Sequence, residues 1–303
     1  MNEDTILRDI IFPNLNNASD IIVPPGDDCA VIDLGLHDAL LISTDQLIEN
    51  IHYDPKITSP QEAGEKLLKR NISDIAAMGG VPKYATVTIA GVNKKAEWFS
   101  QFYEGINKIS KQYDISICGG DLSSTKNGDM VATLTIFGFI EKGKQVLRST
   151  ANDTDIIFCT GYLGNSYHSK HHITFTPRVD VGQFLSKNRY ATSMMDITDG
   201  LNKDLNRICS MSNIGAVINL DKLPLREDAT IEAALFDGED YELIFSVAKE
   251  NVNKFIDDFK TNFKDLNLSE LGYFTNKELR VKYLAKNKDY FVNSDLTGFD
   301  HFK

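Results

Sequence analysis

Carboxylates standing beside glycine or hydroxyl residues recur along this chain, and they are where chemistry would gather. Asn71 and Asp74 lie three apart in Asn71-Ile72-Ser73-Asp74-Ile75-Ala76-Ala77-Met78-Gly79-Gly80-Val81-Pro82. They fall on a different helical face from Leu68, Ile72 and Ile75. A polar pair beside small residues admits a ligand or other backbone, and its oxygens suit a hard cation or a phosphate. Asp27 and Asp28 sit in the turn after Pro24-Pro25-Gly26, Ser43-Thr44-Asp45 closes an apolar run, and Gly119-Gly120-Asp121 follows another. Asp196, Thr198 and Asp199 stand just before or within the first turn of a helix. Each group alone also reads as a cap, a turn acid or a solvated face. His168, His171 and His172 cluster between Asn165 and Thr176; with no acid or Cys nearby in the sequence, they read as a flexible polar loop rather than a transition-metal site.

The elements that must position these groups alternate between strand and helix, so the fold class is mixed α/β. Ala39 to Ser43 reads as a strand ending at Ser43-Thr44-Asp45, and Gln61 to Met78 as a helix stopped by Gly79-Gly80 and Pro82. Tyr84 to Ile89 alternates like a half-buried strand. Phe99, Phe102, Ile106, Ile109 and Tyr113 step as one helix face, and Ile115 to Cys118 reads as a short strand ending before Gly119-Gly120-Asp121. The pattern restarts after Lys142-Gly143-Lys144, which places one domain over 1–142 and a second over 143–303.

The 303 residues include 43 acids against 32 Lys plus Arg, a net charge of -11. That balance argues against a nucleic-acid or anionic-membrane partner, while divalent cations would still let an acidic protein bind a nucleotide. The four cysteines form no C-x-x-C pair and read as buried thiols of a reducing compartment, with the cytoplasm as the expected location. No apolar run is long enough to span a membrane and the N-terminus has no signal-peptide pattern. P-loop, G-x-G-x-x-G, H-E-x-x-H and G-x-S-x-G patterns are absent.

In order and spacing, Gly26-Asp27-Asp28-Cys29-Ala30-Val31, Ser43-Thr44-Asp45 with His52-Tyr53, Asn71 to Pro82, Gly119-Gly120-Asp121, Leu147-Arg148-Ser149, Pro177-Arg178-Val179, Met195 to Leu201, Gly238-Glu239-Asp240-Tyr241-Glu242-Leu243 and Gly298-Phe299-Asp300-His301-Phe302 resemble the thiamine-monophosphate kinase family. This is a branch of the aminoimidazole ribonucleotide synthetase superfamily. The resemblance implies ATP-dependent phosphorylation of thiamine monophosphate to thiamine diphosphate. It also implies a two-domain superfamily fold whose N-terminal domains pair into a β-barrel homodimer, with the active site between the domains. By the same resemblance, Asp28, Ser43, Thr44, Asp45, Asp74, Asp121, Asp196 and Asp199 stand where the family holds several Mg²⁺ ions. Tyr103, Gly120, Asp121, Arg148 and Thr198 stand at ATP, and His52, Glu239 and Phe299 at the thiamine substrate. No general base is expected. Asp237 replaces the second Gly usual before Glu239, and the His-rich stretch lacks the small apolar helix expected there.

Overall fold

The computed structural model describes residues 3–290 except 16–17, 92–93, 127 and 287, together with Gly298. After the short helix α1 (Glu3–Ile6), a six-stranded sheet takes the order β1 (Ile21–Val23), β2 (Ala30–Ile32), β3 (Asp38–Ile48), β6 (Val131–Glu141), β4 (Val81–Gly91), β5 (Ser116–Ser124). Only β4 and β5 pair in parallel. Helices α2 (Pro60–Ala77) and α3 (Ala96–Gln112) cover one face. Leu41, Leu47, Val87, Leu134 and Ile136 there pack with Leu67, Leu68, Ile72, Ile75, Phe102 and Ile106.

Among the described residues nothing covers the other face. Along β6, buried and half-exposed residues alternate from Val131 to Ile140, and β5 is exposed almost throughout. The sheet does not close into a barrel within one chain.

Two strands run further than the sequence suggested. Ser43-Thr44-Asp45 lies inside β3, paired in unbroken register with Ile136, Thr135 and Leu134 of β6. Side chains of a strand alternate between faces, so Ser43 and Asp45 point to the helix side and Thr44 to the open side, where its hydroxyl meets that of Thr135 at 2.9 Å. Likewise β5 passes straight through Gly119-Gly120-Asp121, because β4 offers pairing partners as far as Gly91. A Cβ on Gly120 would lie 1.9 Å from the Val87 carbonyl, so this glycine answers to strand packing.

Helix α2 begins where physics favours it. The Ser59 hydroxyl accepts from Glu62 N, the Glu62 carboxylate accepts from Ser59 N at 2.7 Å, and Pro60 occupies the first turn. It ends at Gly79, whose φ of +80° closes the last turn.

The second sheet has the order β13 (Lys288–Tyr290), β12 (Val281–Ala285), β9 (Gly215–Asn219), β11 (Leu268–Thr275), β7 (Ile156–Thr160), β10 (Leu243–Val247), β8 (Ala191–Asp196). Beside it lie α4 (His171–Thr174), α5 (Val179–Lys187), α6 (Leu201–Ser212), α7 (Ile231–Phe236) and α8 (Val252–Asn262). Leu201, Leu205 and Ile208 of α6 and Leu235 of α7 bury one face with Ile157 and Met195. Val181 and Leu185 of α5 and Phe255 and Phe259 of α8 bury the other with Phe158 and Phe245.

The two halves meet where α5 crosses the C-terminal end of α2. A Cβ on Gly182 would stand 2.0 Å from the Ala76 carbonyl, and one on Gly79 would stand 2.4 Å from Ser186 Cβ. The small residues at the end of α2 therefore admit another helix rather than a ligand. The cysteine reading needs one correction: Cys29, Cys159 and Cys209 are buried, but Cys118 is exposed on the edge strand β5.

Candidate functional site

A cavity of about 360 Å³ lies between the halves. The first half contributes Asp27 and Asp28 from the turn before β2, Ser43 and Asp45 from β3, His52 from the following loop, and Arg70 and Asp74 from α2. The second contributes Arg148, Tyr167, Asp196 at the end of β8, Thr198 and Asp199 before α6, Arg207, and Glu239 and Tyr241 before β10.

At its base, Asp28, Asp74 and Asp196 each place a carboxylate oxygen within 4.8 Å of the others. Ser43 Oγ donates to Asp74 and Ser73 Oγ to Asp196, each at 2.5 Å. Burial raises the Asp74 carboxyl well above the carboxylate range, and the charges of Asp45, Asp196 and Asp28 raise it further. Burial and then Asp28 do the same to Asp196, and burial pushes Asp27 up to about 6. Like charges in a low-dielectric pocket ionise together only when a cation joins them.

Three arginines stand around this acidic floor. Arg148 grips Asp28 through both Nε, at 3.2 Å, and Nη2, while its backbone N–H donates to Asp27. Arg70 Nε donates to Asp45 at 2.9 Å. Arg207 Nη1 lies 2.8 Å from Asp199 and 2.9 Å from Asp204, and Lys203 Nζ lies 2.9 Å from Asp199. Buried Asp204 accepts from the backbone N–H of Thr198 and Asp199, both at 2.9 Å, which fixes the turn into α6. Such an arrangement could hold cations through its carboxylates and anions through its guanidinium groups, so a metal-bound polyphosphate would match it.

Models for "AIR synthase related protein, N-terminal domain" and "AIR synthase related protein, C-terminal domain" match residues 26–140 and 165–283. The thiamine-monophosphate kinase of Buchnera aphidicola subsp. Acyrthosiphon pisum is 34% identical over 305 residues, 91% of either chain. That of Bacillus subtilis is 32% identical and covers 97% of both. The chain belongs to the thiamine-monophosphate kinase family. A solved structure described as AaThiL complexed with AMPPCP and TMP superposes with a TM-score of 0.82 at 27% identity, covering 99% of this chain and 97% of that one.

Of the residues matched to the family's site, Asp28, Ser43, Asp45, Asp74, Asp196, Asp199, Arg148, Thr198, His52 and Glu239 meet at the cavity. Asp45 and Asp199 are paired there with cations rather than joined to the three clustered carboxylates. Thr44, Tyr103, Gly120 and Asp121 do not line it. Thr44 and Asp121 belong to the open face of the first sheet, and half-buried Tyr103 packs against the first core beside Phe102. Phe299 lies outside the described residues, although a Cβ on its neighbour Gly298 would meet the Asp199 carbonyl at 2.5 Å.

Sequence reasoning gave Asp27 only as a turn acid and missed Lys66, Arg70, Ser73, Tyr167, Arg207 and Tyr241. A signal existed on the helix: Lys66, Arg70, Ser73 and Asp74 follow the i, i+4, i+7, i+8 spacing of one face. The His-rich stretch also needs correction. After a turn its last part forms α4, His172 is buried, and His171 Nε2 lies 3.0 Å from the Asp240 carbonyl. Its acidic neighbours come from the distant 237–242 segment, invisible to local spacing.

Proposed function

We propose that this chain transfers the γ-phosphoryl group of ATP to thiamine monophosphate, giving thiamine diphosphate. The observation that carries the reading is the triad of Asp28, Asp74 and Asp196 at the base of a cavity that also presents Arg148 and Glu239. Supporting it are the two kinase relatives above and a structural neighbour described with both AMPPCP and TMP.

The donor set is all oxygen and the carboxyls of Asp74 and Asp196 are held up by burial and mutual repulsion, so these residues fit Mg²⁺. Asp28, Asp74 and Asp196 would hold it, with Ser43 and Asp45 adjacent, and Asp199 is a further candidate across the cavity. Bound there, Mg²⁺ supplies positive charge that offsets the phosphates of both substrates.

The remaining work falls to the chain itself. Arg148, freed from Asp28, offers a planar fork to phosphate oxygens. Thr198 offers a hydroxyl at the turn fixed by Asp204. The acceptor is a phosphate monoester that is largely a dianion at neutral pH, with a second pKa of about 6, so alignment matters more than a general base. His52 and Glu239 also line the cavity, and the thiamine ring would lie against them.

A homodimer belongs to the same reading. The uncovered face of the first sheet carries Thr44, Thr86, Thr88, Gln46, Thr133 and Thr135, and Asp121 pairs with Thr88 on it. Three strand spacings separate β5 from β3, about 14 Å, so Asp121 serves a partner's cavity more readily than its own. The family's β-barrel would close over this face. Division into domains 1–142 and 143–303 accords with one sheet ending at Glu141 and the next starting at Ile156. No described helix is long and apolar enough to cross a membrane, in keeping with a cytoplasmic enzyme.

The test is turnover of ATP, Mg²⁺ and thiamine monophosphate by purified protein, with ADP and thiamine diphosphate separated by chromatography. Equal rates of both products, abolished by chelator, are expected; ADP without thiamine diphosphate would refute the reading.

A further inference from the structure

Lys66 is a lysine with no exposed side-chain surface, and it is the meeting point of three segments distant in sequence. Its ammonium donates to the His52 carbonyl at 2.5 Å, to His172 Nδ1 at 2.9 Å and to Glu239 Oε2 at 2.8 Å. An ammonium has three donors, and all three are used. His172 Nδ1 is closer to Lys66 than to the Glu239 carboxylate, 3.5 Å away, so it acts as an acceptor and its proton sits on Nε2. Tyr167 stacks on the His172 ring at 4.5 Å and lines the cavity.

Glu239 is the member of this network that opens to the cavity, with its side chain 23% exposed. Oε2 is turned inward to Lys66, and Oε1 has the Tyr241 hydroxyl 3.4 Å away. Its backbone is pinned as well: Glu239 N donates to the Thr198 carbonyl at 2.7 Å and Ser166 Oγ donates to its carbonyl at 2.6 Å. Glu239 and Tyr241 both hold positive φ, +55° and +50°, a strain retained where surroundings over-determine a conformation. A carboxylate braced this firmly with one oxygen toward a ligand cavity is a recognition element.

We propose that Lys66 and His172 are positioning residues that orient Glu239 as an anion toward the substrate ring, making the cavity selective for a ring bearing a hydrogen-bond donor or a positive charge. This rests on the reading of Glu239 as a thiamine contact. It also accounts for the His-rich stretch, because α4 brings His172 to Lys66 and Glu239, and the turn before α4 stacks Tyr167 on the His172 ring. Burial would raise the Glu239 carboxyl, but the charge of Lys66, hydrogen bonding from its neighbours and the charge of Arg70 together outweigh it and hold the group far below the carboxylate range. Burial lowers Lys66 to about 8, with Glu239 opposing the shift, so the ammonium persists at neutral pH.

The experiment measures KM for thiamine monophosphate and for ATP separately in the full chain and three variants. His172→Leu removes the acceptor, His172→Asn restores one through its amide oxygen, and Lys66→Met removes the ammonium. Expected are a roughly tenfold rise in KM for thiamine monophosphate in His172→Leu, the order of one charged hydrogen bond, with KM for ATP and kcat held within about twofold. His172→Asn recovers most of the loss, and Lys66→Met shows the same split or a larger one. An unchanged KM for thiamine monophosphate, an equal rise in both KM values, or His172→Asn as impaired as His172→Leu would overturn the proposal while leaving the kinase reading standing. Wild-type protein that makes no thiamine diphosphate would remove both.

Discussion

At the scale of single residues, the site is dominated by carboxyl groups that resist ionising together. The folded, metal-free chain keeps protons on Asp74 and Asp196 that the unfolded chain has released by about pH 4. More protons bound in the folded state means stability that falls as pH rises above that point. If Mg²⁺ takes the place of those protons, its stabilising effect grows with pH. Thermal unfolding with Mg²⁺ and with chelator, followed from about pH 5 to about pH 8, should show a widening gap between the two midpoints. A gap that stays constant or narrows would remove these aspartates from the metal site. The serines beneath them have a supporting role: Ser43 and Ser73 each donate one hydrogen bond, which fixes the carboxylates without adding charge.

At the scale of elements, what was legible in the sequence was whatever local pattern determines. Helix α2 could be read from Leu68, Ile72 and Ile75 and from its glycine stop, and β4 from the alternation in Tyr84 to Ile89. Strand ends were less legible, because pairing partners far along the chain decide them. Strand β3 continues through Ser43-Thr44-Asp45 because β6 accompanies it to Val131, and oxygen-bearing residues that resemble a terminus are the middle of a strand. The same pairing separates Thr44 from Ser43 and Asp45, a distinction that follows from alternation once the strand is known. Asp28, Asp74 and Asp196 were legible as candidates, but their convergence depends on α5 docking across α2, which no local signal reports. The His-rich stretch misled for a related reason: its partners Lys66 and Glu239 stand 106 residues before His172 and 67 after it in the numbering.

At the scale of the whole molecule, two sheet-and-helix halves both line one cavity, and among the described residues one sheet leaves a face uncovered. If that face pairs two copies and Asp121 completes the partner's site, two inactive variants will rescue each other. Mixing Asp74→Asn and Asp121→Asn subunits leaves one site of each mixed dimer intact, so activity should return to roughly a quarter of the wild-type level after exchange. No recovery would place Asp121 in its own chain's site or outside the reaction altogether. Above this stands the claim that two phosphate groups meet directly between the domains, with no phosphoenzyme. The measurement that tests it most directly is to follow ATP made chiral at its γ-phosphorus through a single turnover with thiamine monophosphate. The account predicts the labelled phosphorus in the terminal phosphate of thiamine diphosphate with inverted configuration; retention, or label released as inorganic phosphate alone, would contradict it.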